Sequence, residues 1–247
     1  MNCPVSHNFP SEITFERVQP IASEIYKVYG HFMEAANPEC VDLPLLTQIK
    51  VDAERQYWHR MEFFLAIIGE QTIGTIAYIK DDPENGIPFE KDHSAQLDLS
   101  QLRRLGNLME VCLFSISKKY QGNRGIHRGL LKSILQAALE NKVSFLCTQS
   151  AENRIAMYKK LGFVQINANT VLRKYTDFPV ILAILNLARD SINCKETSFF
   201  KYISKEIKNS VHSEFQYHLT SEMADTGAFR LDDKTLISLA NARTKIR

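Results

Sequence analysis

Metal and disulfide chemistry have little to draw on in this sequence. Its five cysteines, Cys3, Cys40, Cys112, Cys147 and Cys194, are odd in number, scattered and never spaced as CxxC. That speaks against a disulfide framework or a zinc knuckle and points to a reduced, cytoplasmic home. The seven histidines form neither HxxxH nor HExxH, so no metal is predicted. Net charge is scarce too, at +2, and gives no case for binding nucleic acid or an anionic membrane. Long apolar runs are missing: the greasiest stretch, residues 178–188, is too short for a stable membrane span. The opening residues, MNCPVSHNFPSE, carry no basic segment followed by an apolar run, so no signal peptide is expected. Internal repeats and low-complexity tracts are absent as well.

What is present is an ordinary globular composition, 45% apolar and 23% charged over 247 residues. That length suits one large domain, or one domain plus an appendage. Residues 13–18 alternate apolar and polar, as a half-buried strand does, and Pro20 ends them. Ile21, Ile25, Val28 and Phe32 then recur at near-helical spacing over residues 21–35. Residues 37–60 carry no clear pattern. Residues 63–68 and 72–79 are β-rich and joined by Gly69-Glu70-Gln71, which predicts a hairpin with a three-residue turn. A polar loop is expected over 81–105. Residues 108–116 read as a strand, with Glu110, Cys112 and Phe114 on one face and Met109, Val111 and Leu113 on the other.

A glycine-bearing loop, Gln121-Gly122-Asn123-Arg124-Gly125, precedes a helix over 126–140 with one apolar stripe. A short strand is predicted at 143–148. Ser150 is placed to cap a helix running to about Leu161, with Gly162 as its C-terminal stop. Two strands follow, at 163–166 and 179–187. The expected fold class is therefore α/β (α+β), a mixed sheet flanked by helices. After Arg189 the composition turns polar. Residues 190–247 read as a helical C-terminal extension, with 199–211 helical, beside a main domain over 1–189.

The loop has a physical use. Glycine lets a ligand approach the backbone, and the unpaired amides of a helix start, with the helix dipole, make a phosphate cradle. Arg124 and Arg128 add full charges. The plainer alternative is a strand-to-helix connection with solvated arginines. The loop is neither a Walker loop nor GxGxxG.

The stretch AENRIAMYKKLGFV, with Asn153, Ala156, Tyr158, Leu161, Gly162 and Phe163, together with this loop, resembles the GNAT acyltransferase superfamily. Gly125 takes the first glycine place of that superfamily's loop. His127 stands where a second Gly or Ala is usual, and Gly122 occupies the Arg/Gln place, one residue after Gln121. The resemblance runs over about 13–187. The segments Ile87-Pro88-Phe89-Glu90-Lys91, Leu97-Asp98-Leu99, Leu102-Arg103 and Met109-Glu110-Val111 are similar to the N-acyl amino acid synthase branch, which is like the acyl-homoserine-lactone synthases. Leu113 replaces an arginine usual in that branch.

The resemblance implies a GNAT fold with a mixed, mostly antiparallel central sheet. It implies an acyltransferase that moves an acyl group from acyl-CoA or acyl carrier protein to the amine of a small-molecule acceptor. Glu110 is the candidate base. Burial on an apolar strand would raise its pKa, although a structural carboxylate fits the sequence as well. Tyr158 is the candidate acid for the leaving sulfur, or a core aromatic, or both. Phe114, Ile116 and Asn153 are implied to hold the pantetheine arm, and Gln121, Gly122, Asn123, Arg124, Gly125 and Ile126 the diphosphate. Asn153 alone reads as an ordinary first-turn polar residue. His127 reads as a helix-surface residue, and Cys112 as a small buried hydrophobe. A long acyl chain would need a greasy channel, which bulky residues such as Phe63, Phe64 and Phe114 would shorten. Two other functions compete: short-chain transfer from acetyl-CoA, and a non-catalytic GNAT-scaffold sensor or interaction module.

Overall fold

The computed structural model describes residues 13–36, 42–92, 97–167, 169–174, 179–189 and 228–240. The helix expected over 199–211 and Cys3, Cys40 and Cys194 lie outside these. The apolar runs at the centre of the chain form a single sheet. It comprises β1 (Thr14–Val18), β2 (Met61–Ile68), β3 (Gln71–Lys80), β4 (Asn107–Ile116), β5 (Val143–Ser150), β6 (Val164–Gln165), β7 (Val171–Leu172) and β8 (Pro179–Asn186). Strand order is β1-β2-β3-β4-β5-β8-β6, with β7 pairing β8. Every pairing is antiparallel except β4 with β5, which run parallel. A parallel pair needs a long crossover, and the helix α5 (Arg124–Glu140) supplies it.

Two faces of the sheet are covered. Helix α1 (Ala22–Ala36) packs across β3 and β4. Helix α2 (Leu43–Glu54) lies against α1 and leads through a 3-10 turn into β2. At Gly74 an added Cβ would meet Leu130 Cδ1 of α5 at 3.1 Å. The next residue, Thr75, turns its hydroxyl to Ser115, which in turn meets His31 of α1. Successive strand residues point to opposite faces, so α1 and α5 sandwich the sheet. Helix α6 (Glu152–Lys160) ends at Gly162, whose φ of +91° only glycine adopts freely. The N–H of Phe163 returns to the Tyr158 carbonyl there at 3.1 Å.

Local differences from the sequence reading have local causes. Ile68 pairs with Gln71, so the β2–β3 turn has two residues, not three, and Gly69 at φ +59° supplies the twist such a turn needs. The unpatterned 37–60 region contains α2, whose periodicity is blurred because exposed Leu45 and Ile49 sit on it beside buried Lys50 and Glu54. Residues 81–105 contain two short helices, α3 (Pro88–Lys91) and α4 (Ser100–Arg103). Ser150 does not cap α6. It ends β5, its hydroxyl bonds the Ala151 carbonyl, and Ala151 takes the cap position with no side-chain bond. Helix α7 (Asp233–Ala240) and the turn before it bring Ala228, Leu236 and Ala240 into the core, and Asn186 donates to the Ala228 carbonyl at 2.7 Å.

Candidate active site

Strands β4 and β5 run side by side only part of the way. They pair from Asn107↔Val143 to Val111↔Thr148, and past that point no residue of β4 pairs with β5. The gap opens into a cavity of about 260 Å³ lined by residues 110–114 of β4, 148–150 of β5 and Ala151 after it. Peptide groups on the facing edges have no strand partner there, so a ligand can use them.

A bulge shapes the β4 side. Thr75 pairs with Ser115 and Ala77 with Cys112, so Leu113 and Phe114 together oppose Ile76 alone. Leu113 takes φ +51°, a left-handed value rare for a branched residue. The bulge ends the simple alternation expected along this strand. A chain of hydroxyls backs it: Thr75 Oγ1 donates to the Leu113 carbonyl at 2.9 Å and lies 2.9 Å from Ser115 Oγ. His31 of α1 completes the chain, with Nδ1 at 3.2 Å from Ser115 Oγ and Nε2 at 2.8 Å from Ser117 Oγ. Burial holds the His31 pKa below its usual value, which favours the neutral ring.

Glu110 lies at the inner end of the gap, 1% exposed. Its Oε2 accepts the Phe89 N–H at 2.6 Å and its Oε1 the Gln149 side-chain amide at 2.9 Å. Burial pushes its pKa up to about 8, against the pull of the Phe89 N–H, Arg173 and Gln149. Phe89 is held in place by Arg103, which bonds Asp81 at 2.7 Å and the neighbouring Glu90 at 2.7 Å. The residues at 87–91 and 102–103 thus support the carboxylate.

Tyr158 of α6 lines the same cavity, 6% exposed. Its ring packs edge-on against Phe163, with centroids 5.3 Å apart, and its hydroxyl bonds the Thr148 side chain. Burial raises its pKa and keeps the phenol protonated. Asn153 and Phe114 also line the cavity. Cys112 lines it as a thiol, its pKa pushed well up by burial. Phe63 and Phe64 lie in the core instead and do not shorten the cavity.

Ile116, at the end of β4, lies outside the cavity lining, and the expected diphosphate residues form a second group at the start of α5, also outside it. Gln121, Gly122, Arg124 and Gly125 are exposed, and Gly122 takes φ +87°. Asn123 caps the helix: its Oδ1 accepts the N–H of Gly125 at 2.9 Å and of Ile126 at 3.3 Å. A phosphate reaching those two amides must displace this cap. Ile126 itself is buried in the core. Gln121 turns back to the Ile116 carbonyl at 3.2 Å. His127 is not the surface residue expected. Its ring packs at a tilt against Phe114 with centroids 4.9 Å apart, meets Met157 Sδ at 3.1 Å, and burial lowers its pKa to about 4. A single helix turn places it over the bulged strand, which periodicity did not reveal.

Residues 51–186, more than half of the chain, match the family described as N-acyl amino acid synthase FeeM. The chain belongs to that family. A member of the FeeM family is an acyltransferase, and the chemistry it performs is N-acyl transfer. Among curated proteins, none matches. The structure of FeeM, an N-acyl amino acid synthase from uncultured soil microbes, is 19% identical, with a TM-score of 0.51 over 71% of this chain and 92% of that one. An acetyltransferase from Streptococcus agalactiae is 17% identical, with a TM-score of 0.48 over 71% and 98%. An acetyltransferase of the GNAT family from Staphylococcus aureus is 14% identical, with a TM-score of 0.45 over 70% and 99%. The mixed sheet with its flanking helices matches the fold of the FeeM structure. No helix among the described residues is long and apolar enough to cross a membrane.

Sequence reasoning missed Lys50, Gln149 and Arg173, which join Glu110 at the cavity, and His31 behind the bulge. Each lies on a different element. The one visible signal was Lys50 and Glu54, four residues apart on a helix that went unassigned.

Proposed function

We propose that this N-acyltransferase takes its acyl group from a pantetheine thioester and that Glu110 and Tyr158 carry the chemistry. One observation supports this above the rest: a carboxylate with a raised pKa and a protonated phenol face one cavity beside the bulged, unpaired edge of β4. The acceptor arrives as an ammonium, and Glu110 takes its proton. The amine nitrogen then attacks the thioester carbonyl carbon. Charge that builds on the carbonyl oxygen is met by the N–H groups of the bulge. The C–S bond breaks, and the departing thiolate takes the Tyr158 proton. The amide nitrogen gives its extra proton to the Tyr158 oxygen, the new amide leaves, and Glu110 returns its proton to solvent.

Asn153 and the edge of Phe114 to Ile116 hold the pantetheine arm in this reading. The start of α5, with exposed Gly122 and Arg124, holds the phosphate of acyl-CoA or of an acyl carrier protein. The family match favours an N-acyl amino acid product, and the sequence resemblance implies a long acyl group. The wall residues Phe32, Met33, Leu46 and Val180 suit an apolar chain. Thiol release from acetyl-CoA and from a long-chain acyl-CoA, each with mixed amino acids, tests the reading, with mass spectrometry of the amide. Release only with the long-chain donor supports it. Release only with acetyl-CoA replaces it by short-chain transfer. No release from either donor or from a long-chain acyl carrier protein, or full release by Glu110→Gln, overturns it.

A further inference from the structure

The cavity is electrically lopsided. Among its lining residues Lys50, Arg154 and Arg173 are cations, and Glu110 is the sole acid. Two of the three cations sit at the Glu110 end. Arg173 Nε donates to Gln149 Oε1 at 3.3 Å, and the same Gln149 amide donates to Glu110 at 2.9 Å. One side chain therefore separates the guanidinium from the carboxylate. Lys50, 6% exposed, forms an ion pair with buried Glu54, and its ammonium stands 5.5 Å from the centre of the Phe32 ring. Arg173 Nη1 lies 3.8 Å from the same Glu54, and Tyr29 donates to the other Glu54 oxygen at 2.7 Å.

One carboxylate is thus shared by two cations. Neither Glu54 nor Asp92, the other acid nearby, lines the main cavity. Asp92 borders a small adjoining hollow of about 20 Å³ and takes a hydrogen bond from Tyr57 at 3.0 Å. Lys50 and Arg173 border both spaces. Cations removed from water are costly unless they meet an anion. Arg173 has spent Nε on Gln149 and approaches Glu54 only at ion-pair range. Its Nη2 meets no acceptor among the described residues. A guanidinium edge so placed matches a carboxylate in two parallel hydrogen bonds.

We propose that Arg173 and Lys50 form an anion subsite at the acceptor end of the cavity, and that it holds the carboxylate of an α-amino acid while the amine faces Glu110. The inference rests on the acyltransferase reading and deepens it by assigning the residues that recognise the acceptor. The Gln149 bridge sets the spacing. An α-amino acid carries its amine and carboxylate on one carbon, so both ends meet their partners only if base and cation are a few ångströms apart. Arg154 lies on α6 beside Asn153, on the donor's side of the cavity, and is not part of this subsite.

The test compares L-amino acids with their α-carboxamides, which keep the amine and lose the anion. Donors are acetyl-CoA and a long-chain acyl-CoA, and the readout is kcat/KM from thiol release. Wild type is expected to favour the acid by roughly a hundredfold, the scale of a lost charge-assisted hydrogen bond. In Arg173→Met that ratio should fall toward one. Arg173→Lys, which keeps charge without the fork, should lie between. Arg173 suits the test because its loss leaves Glu54 still paired with Lys50 and Tyr29. Lys50→Met would leave buried Glu54 with only Tyr29 and the more distant Arg173. A wild-type ratio near one overturns the subsite whether or not the variants fold. An unchanged ratio in folded Arg173→Met does so too. Thiol release with neither acid nor amide overturns the acyltransferase reading itself, a result distinct from equal release with both.

Discussion

The side-chain amide of Gln149 lies 2.9 Å from Oε1 of Glu110 and ties this carboxyl group on β4 to the strand from which β4 is about to separate. The contact falls just where β4 and β5 part, one residue past the last paired residue of β5, Thr148. Glu110 is therefore both buried and open to one cavity.

That burial sets the pH response. With a pKa of about 8, Glu110 is largely protonated at neutral pH. kcat/KM should rise about tenfold per pH unit on the acid side and level off near pH 8. Glu110→Gln should lose about a hundredfold or more in activity and flatten this limb. Stability should run the other way. The folded pKa lies above the ordinary value of 4.5, so the fold favours the protonated acid. Its contribution is complete below pH 4.5 and is lost as pH rises through 8. Glu110→Gln should thus melt above wild type at pH 8–9, with the gap closing toward pH 4.5. Thermal melts across that range check the sign.

Tyr158→Phe should lower kcat by about 10²-fold or more while donor KM changes little, because only the proton for the leaving sulfur is removed. The ring contact with Phe163 survives, so the melting temperature should hold. Equal turnover in the variant would remove Tyr158 from the mechanism.

His31→Leu breaks the hydroxyl chain behind the Leu113 bulge. A shift of the bulge should lower kcat by about ten- to a hundredfold. His31→Gln, which can still bond one hydroxyl, should recover part of this. A purely structural role would lower the melting temperature of His31→Leu and leave kcat intact. The split between kcat and stability is the measurement.

Arg124→Glu reverses an exposed charge at the α5 start. CoA affinity should weaken by about tenfold at low salt and less at high salt, since exposed charges are screened. Affinity that is unchanged at low salt would place the phosphates elsewhere.

Most elements were legible because their side-chain periods are local. The stripe of α5, the strand β8 and the Gly162 stop follow from residues a few positions apart. Glu110 and Tyr158 were legible as a buried acid and an amphipathic aromatic. Their meeting was not, because they lie 48 residues apart on elements joined only through the sheet. The bulge also escaped notice, since nothing in Cys112-Leu113-Phe114 announces an extra residue. It exists because β3 pairs with β4 on either side in two different registers. The Ser150 cap was misread for a similar reason: pairing with Ile181 extends β5 through that position.

By itself the amino-acid order determined most of the longer helices and strands, because propensity, apolar period and glycine act within a few residues. Tertiary structure alone decided that β4 and β5 separate after Val111, that Leu113 bulges, and that Arg173 and Lys50 arrive beside Glu110. Those features depend on pairing and packing between distant parts of the chain, and no local pattern encodes the distance between two residues that meet only after folding.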